Sequence, residues 1–353
     1  MKRILLKGSI LVAMLLIFSD CEQQIVGPVP NFDYEFPSGG IDLGDVTLED
    51  VTPDDITPGS MNTDGQTAFG NNLANVNTNA AALAAVRDQL TALTQALSTS
   101  QKNAIKGLNV NSLPTQVKNG VSDPNSNLIS LIATIQGLLK DYPQLAPLVP
   151  TMTLPTGGRI LNDRGRALEV TVPLIETKVF AVNALELDCE AAARRAYNTT
   201  VAEIDSAYNA QLVLVSNKDS ENIQAAIALR TTSIAAANTR YTERNLFFRS
   251  QYDAFAASIA SATVFTPAEI ELLNILNTLL YAIDLYNSTL LLNLELTAIS
   301  NQLAANLAKA AAAKTRMTNE ANTKKNAAIK QATDRLNDGL NTCHNQGGAS
   351  GGD

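Results

Sequence analysis

A chain of 353 residues can hold one large domain or two modest ones, and 45% hydrophobic residues supply the core that either needs. Aromatics at 5%, no tryptophan and much Ala and Leu favour helix-on-helix packing over a β-sandwich. The net charge of −8 argues against nucleic acid, whose phosphates demand a basic surface.

Residues 1–21 form an export signal rather than part of a fold. A basic Met1-Lys2-Arg3 start precedes the apolar run GSILVAMLLIF, residues 8–18, which is too short to span a bilayer. The segment closing in FSDC resembles a bacterial lipoprotein signal, in which Cys21 becomes the lipidated N-terminus after cleavage. Asp20 stands where that signal usually has Gly, Ala or Ser, so a plain secretory signal with an incidental cysteine is the other reading. Glu22, by its resemblance to the enterobacterial sorting rule, directs the anchored chain to the outer membrane, facing the periplasm or the cell surface.

Residues 22–70 read as a flexible acidic tether. Ten acids lie from Glu22 to Asp64, and residues 22–86 contain no Lys or Arg. A near-repeat, DVTLE-DVTPD-DITPG over residues 45–59, combines like charges with residues that favour extended backbone. A calcium site is the sharper alternative, but the D-x-D-x-D-G spacing is missing.

Residues 71–160 read as short helices and a Pro-rich linker. Leu83, Val86, Leu90, Leu93 and Leu97 place one apolar stripe on a helix over about 79–98. A second helix is expected from Pro124 to about Asp141, with Asp123 as cap and Leu128, Leu131, Ile132, Ile135, Leu138 and Leu139 as its inner face. Pro143, Pro147, Pro150 and Pro155 then mark a loop, and ALEVTV (167–172) a brief extended piece.

Residues 161–343 read as a long antiparallel helical hairpin. No Pro occurs between 173 and 267 and no Gly between 165 and 339, while Ile234, Tyr241, Phe248, Tyr252, Phe255, Ile259 and Ala262 keep a heptad-like rhythm. The turn is set by VFTPAEIELLN (264–274). Thr266 caps, Pro267 takes the first helical position, Glu269 reaches back as a capping box, and Phe265 with Ile270 forms a hydrophobic staple. Reflection about that turn brings Cys189 to within three residues of Cys343, so a disulfide is expected in an exported protein; two unrelated buried thiols are the alternative. The cysteine register also sets Asn245 against Asn287 and Asp219 beside Lys314. Residues 344–353 read as a disordered tail.

The expected fold is therefore all-α, a coiled-coil-like hairpin with short N-terminal helices packed as a bundle. Residues 270–299 carry more leucine than a two-stranded seam can bury. Leu272, Leu276, Leu279, Ile283 and Leu290 are the candidate interface. They would cover themselves with the N-terminal helices, a protein partner, a second copy or a membrane. The single histidine, His344, lies in a polar stretch, so histidine metal sites and a Ser-His-Asp triad have no support, and no phosphate-binding loop appears. No catalytic residue, metal or cofactor is expected. The hairpin resembles the arms of periplasmic adaptors and of helical pore-forming toxins, without the β-rich domains of the former or the unbroken apolar segment of the latter. The leading expectation is a non-enzymatic exported lipoprotein acting as a structural or protein-binding module at the cell envelope. The alternative is a membrane-active, pore-forming-like protein that uses its Leu-rich segment.

Overall fold

A computed structural model describes residues 34–123, 125–157 and 184–345. The fold is all-α: five short helices, α1 (Asp64–Asn75), α2 (Ala80–Ala96), α3 (Thr99–Lys106), α4 (Leu113–Val121) and α5 (Asn127–Lys140), precede a hairpin of α6 (Ala184–Ser261) and α7 (Pro267–Asn345). Two three-residue strands, β1 (Ser60–Asn62) and β2 (Thr151–Thr153), pair antiparallel with Met61 opposite Met152. The chain divides into two compact units, and both long helices contribute to each.

The larger unit spans residues 44–173 and 208–323. Its core joins α1–α5 to residues 248–285 of the hairpin, with Phe69, Leu93, Ile135, Phe255, Leu276 and Leu279 all buried. Helix α1 has poor helical propensity, DGQTAFGNNLAN, and its two glycines explain why it is nevertheless there. A Cβ on Gly65 would lie 1.8 Å from the carbonyl oxygen of Pro147, and one on Gly70 would lie 2.4 Å from the Phe255 ring. Glycine lets α1 press against both, and Phe69 then meets Phe255 edge-on at 5.4 Å.

Helix α2 is capped by Asn79, which accepts from the amides of Ala81 and Ala82. Helix α3, unforeseen in the sequence, opens with a capping box of Ser98 and Gln101. Helix α5 starts at Asn127 under Ser126 instead of at Pro124 under Asp123. Asp123 spends its carboxylate on the amide of Asn125, a local turn that delays the helix.

The turn between α6 and α7 forms where the capping signals put it. The Thr266 amide donates to Glu269 Oε2 at 2.7 Å, and the Glu269 amide donates to Thr266 Oγ1 at 3.3 Å. The backbone hydrogen bond from Thr266 is the main reason the Glu269 carboxyl sits below the usual range. Phe265 is buried, and Ile270 packs against the same core. The turn is docked onto the short helices: Arg87 of α2 reaches Glu269 at 3.0 Å and the Val264 carbonyl at 3.1 Å, and Asn77 holds the Ser261 carbonyl and the Thr263 amide.

The smaller unit contains residues 184–207 and 324–345 of the two long helices, antiparallel, with residues 34–43 laid against them. Cys189 and Cys343 are joined with Cα atoms 5.8 Å apart. Asp205 pairs with Lys325 at 2.8 Å, and Arg335 donates to the Gly39 carbonyl at 2.8 Å. Residues 1–33, with the signal and Cys21, the ALEVTV piece and residues 346–353 lie outside the described residues; of the expected disordered tail, His344 and Asn345 belong to α7 instead.

Candidate binding grooves

Residues 44–57, expected to belong to a free tether, are instead seated in the groove between α6 and α7. Gln211 donates to the Gly44 carbonyl at 2.6 Å, and Ser233 donates to Asp55 at 2.8 Å. On the other side the Thr47 amide donates to Glu320 at 3.3 Å, and the Asp54 amide to Asn306 at 3.0 Å. From 44 to 55 the strap thus passes α6 from 211 to 233, and from 47 to 54 it passes α7 from 320 back to 306. Two helical residues go by for each strap residue. A helix rises about 1.5 Å per residue and extended polyproline-type backbone about 3.1 Å, so the two ladders match without strain.

Asparagine does the recognition. Asn222 accepts from the Val51 amide at 3.1 Å and donates to the Glu49 carbonyl at 3.0 Å. Asn306 accepts from the Asp54 amide and donates to the Asp54 carbonyl at 2.9 Å. The acids that would have repelled one another are paired: Glu49 with Arg316 at 2.6 Å, Asp50 with Lys218, and Asp54 with Lys309. The Arg316 hydrogen bond is the largest influence on Glu49 and holds its carboxyl below the usual range. Val46 and Val51 pack on Val215, Ala313 and Met317, and Ile56 enters a cluster with Tyr241, Leu292 and Ile299. The five-residue repeat is therefore the spacing at which an apolar side chain turns into the groove.

A second groove, of about 740 Å³, opens between α4 and α6. Pro114, Lys118, Asn119, Asn245, Leu246 and Arg249 line it. Lys118 sits 5.7 Å from the centre of the Tyr241 ring and, among the described residues, has no carboxylate partner. Arg249 is shared between Asp253 at 3.0 Å and Asn111 at 3.1 Å. Leu246 is 66% exposed, and its neighbour Phe247 51% exposed. The volume falls within the range that ligand clefts occupy.

The candidate interface leucines face inward. Leu276, Leu279 and Ile283 are buried in the main core, and Leu272 and Leu290 are half-buried. The covering surface is the set of short helices, of which only two were expected. The most apolar window of α7 is long and apolar enough to cross a membrane, and 83% of it is buried within the fold.

Four of the polar residues that interrupt this stretch meet a partner on another element. Asn277 donates to the Tyr252 carbonyl at 3.0 Å, and Asp284 accepts from Gln66 at 2.8 Å. Glu295, fully buried, meets Arg240 at 3.0 Å and Arg244 at 3.7 Å. Desolvation is the main cause that brings the Arg244 guanidinium below its usual range, with Glu295 opposing it. Asn287 departs from the expected register pair: it accepts from Gln136 of α5 at 3.3 Å, not from Asn245, because α5 lies over that part of the seam. Asp219 does meet Lys314, at 2.8 Å.

The strap and the α4 groove were both missed in the sequence. The strap's cations and amides lie more than 150 residues away in the chain, and α4 carries too few apolar residues in LPTQVKNGV to signal a helix. The Cys189–Cys343 disulfide is consistent with an extracytoplasmic location. A mostly helical, disulfide-containing chain of this kind is consistent with a structural or protein-binding module. Comparison with protein-family profiles, with curated proteins and with solved structures finds no match to this chain.

Proposed function

We propose that the chain is a non-enzymatic, lipid-anchored helical module of the cell envelope that binds another protein through the groove between α4 and α6. The observation that carries this reading is the resemblance between the lining of the α4–α6 groove and that of the groove that holds the strap. The chain already holds an acidic extended segment with asparagine side chains on its backbone, cations on its acids and an apolar slot for every fifth side chain. The α4–α6 groove offers Asn119, Asn245, Lys118 and Arg249 beside exposed Leu246. It suits an acidic, extended partner segment with one aliphatic anchor.

A fluorescent peptide copying residues 44–57 is the probe. Added to the full mature chain, it should bind at low salt, weaken steeply with salt, and lose at least tenfold in affinity with Lys118→Glu or Leu246→Asp. Binding that ignores both substitutions and responds to Arg316→Glu would mean exchange at the strap, and no binding would remove the reading. Anchoring is tested separately by fatty-acid incorporation, expected in the native chain and lost in Cys21→Ser. The membrane-active alternative draws on the length and apolarity of α7, but needs α1–α5 to leave it. Robust dye leakage from liposomes by the purified chain would favour that alternative.

A further inference from the structure

In the middle of the apolar stretch of α7 stands an acid with no counter-charge. Asp284 is 2% exposed and has one side-chain partner, Gln66 of α1, whose Nε2 donates to Asp284 Oδ1 at 2.8 Å. The same Nε2 donates to the Leu148 carbonyl at 2.9 Å, which ties in the turn Ala146–Leu148. Gln66 is itself fully buried, and its Oε1 has no hydrogen-bond donor. Among the described residues, no Lys, Arg, His or second carboxylate from α1, α6, α7 or that turn acts on Asp284. The nearest charged cluster along α7, Glu295 with Arg240 and Arg244, is about three helical turns further on.

An ionised carboxylate buried with a single hydrogen bond is costly, whereas a neutral carboxylic acid is also a donor. The amide beside it lacks one donor. We propose that Asp284 carries a proton in the folded protein and forms a two-hydrogen-bond acid–amide pair with Gln66, giving its O–H to Gln66 Oε1. The pair latches α1 and the Ala146–Leu148 turn to α7 while the proton is held. Burial independently pushes the Asp284 carboxyl well above the ordinary aspartate range, against a weaker pull from Gln66. A folded-state pKa above the unfolded one makes this contribution complete below the unfolded value, and it declines as pH rises toward the folded one. The latch is therefore tight in acid and loosened by alkali, opposite in sign to acid-triggered opening.

The test uses the full mature chain. A protonated-carboxyl band should appear in the infrared spectrum at neutral pH and vanish in Asp284→Asn. The melting temperature should fall more steeply between about pH 5 and about pH 9 in the native chain than in Asp284→Asn, whose amide can make both hydrogen bonds without a proton. Gln66→Met keeps the acid but removes its partner, and should shift the band. Absence of the band at neutral pH, parallel melting profiles for the native chain and Asp284→Asn, or a band that Gln66→Met leaves unmoved would each overturn the proposal.

Discussion

Two consecutive stretches of α7 are covered in opposite ways. Residues 270–299 bring leucine and isoleucine, and apart from Ile56 of the strap against Leu292 and Ile299 their neighbours are mainly helices, which supply enough apolar area to bury large side chains. Residues 301–323 bring mostly alanine and other small residues, and the groove beside α6 is filled by an extended strap held through amides and ion pairs. The volume of the side chains on one helix thus selects what can lie against it. Bulky residues keep helices at a distance that other helices fill, and small residues leave a channel that fits a single extended backbone. The polar side chains differ in the same sense. On the leucine side they appear singly and fix register; on the alanine side they form the contact itself.

The comparison can be broken at several points. Leu276→Ala removes a fully buried side chain among tightly packed helices and should cost about 3–4 kcal/mol, with amide protection lost first in α1–α5 by hydrogen exchange. Unchanged protection there would mean that the leucine face is not what holds those helices. Arg240→Met leaves the buried Glu295 with Arg244 alone, at 3.7 Å, and should cost about 2–3 kcal/mol, less than breaking a fully buried pair because Arg240 is 30% exposed and Arg244 remains. Restoration by the double variant Arg240→Met with Glu295→Gln would show the charge, and not lost packing, to be the cause. Asn222→Ala cuts two backbone contacts of the strap and should cost about 1–2 kcal/mol, with faster exchange confined to residues 44–57. The smallest effect is one of pH. Glu49 and Glu269 both have lowered folded-state pKa values, so their contribution is present above the unfolded carboxylate range and is lost as pH falls through the folded values. Acid should free the strap and the turn while it tightens Asp284, a divergence that residue-resolved exchange at two pH values would reveal.

The parts legible in the sequence were those encoded locally or by symmetry about a local signal. Thr266, Pro267 and Glu269 act within four residues of one another, and once they fixed the turn, reflection was enough to bring Cys189 to Cys343. Helix α2 announced itself by its apolar spacing. The strap was misread because local chemistry sees only like charges and proline, while Arg316, Lys309 and Lys218 lie far along the chain. Helix α1 was hidden by the glycines that make it possible: each lowers helical propensity, and each is required by a close approach that only the folded structure displays. Asn287 went to Gln136 because symmetry of the hairpin says nothing of a third helix lying across it.

The bond between Cys189 and Cys343 turns everything from 189 to 343 into a covalent ring. A single protease cut anywhere within that ring opens it without releasing a fragment. Such a nicked molecule keeps its mass on a non-reducing gel and separates into pieces only when a reductant is added. Cuts outside the ring shed their fragments at once. Limited proteolysis run both ways would therefore sort every accessible peptide bond into one of two classes, and a single cut in either long helix between Cys189 and Cys343 would leave the molecule in one piece.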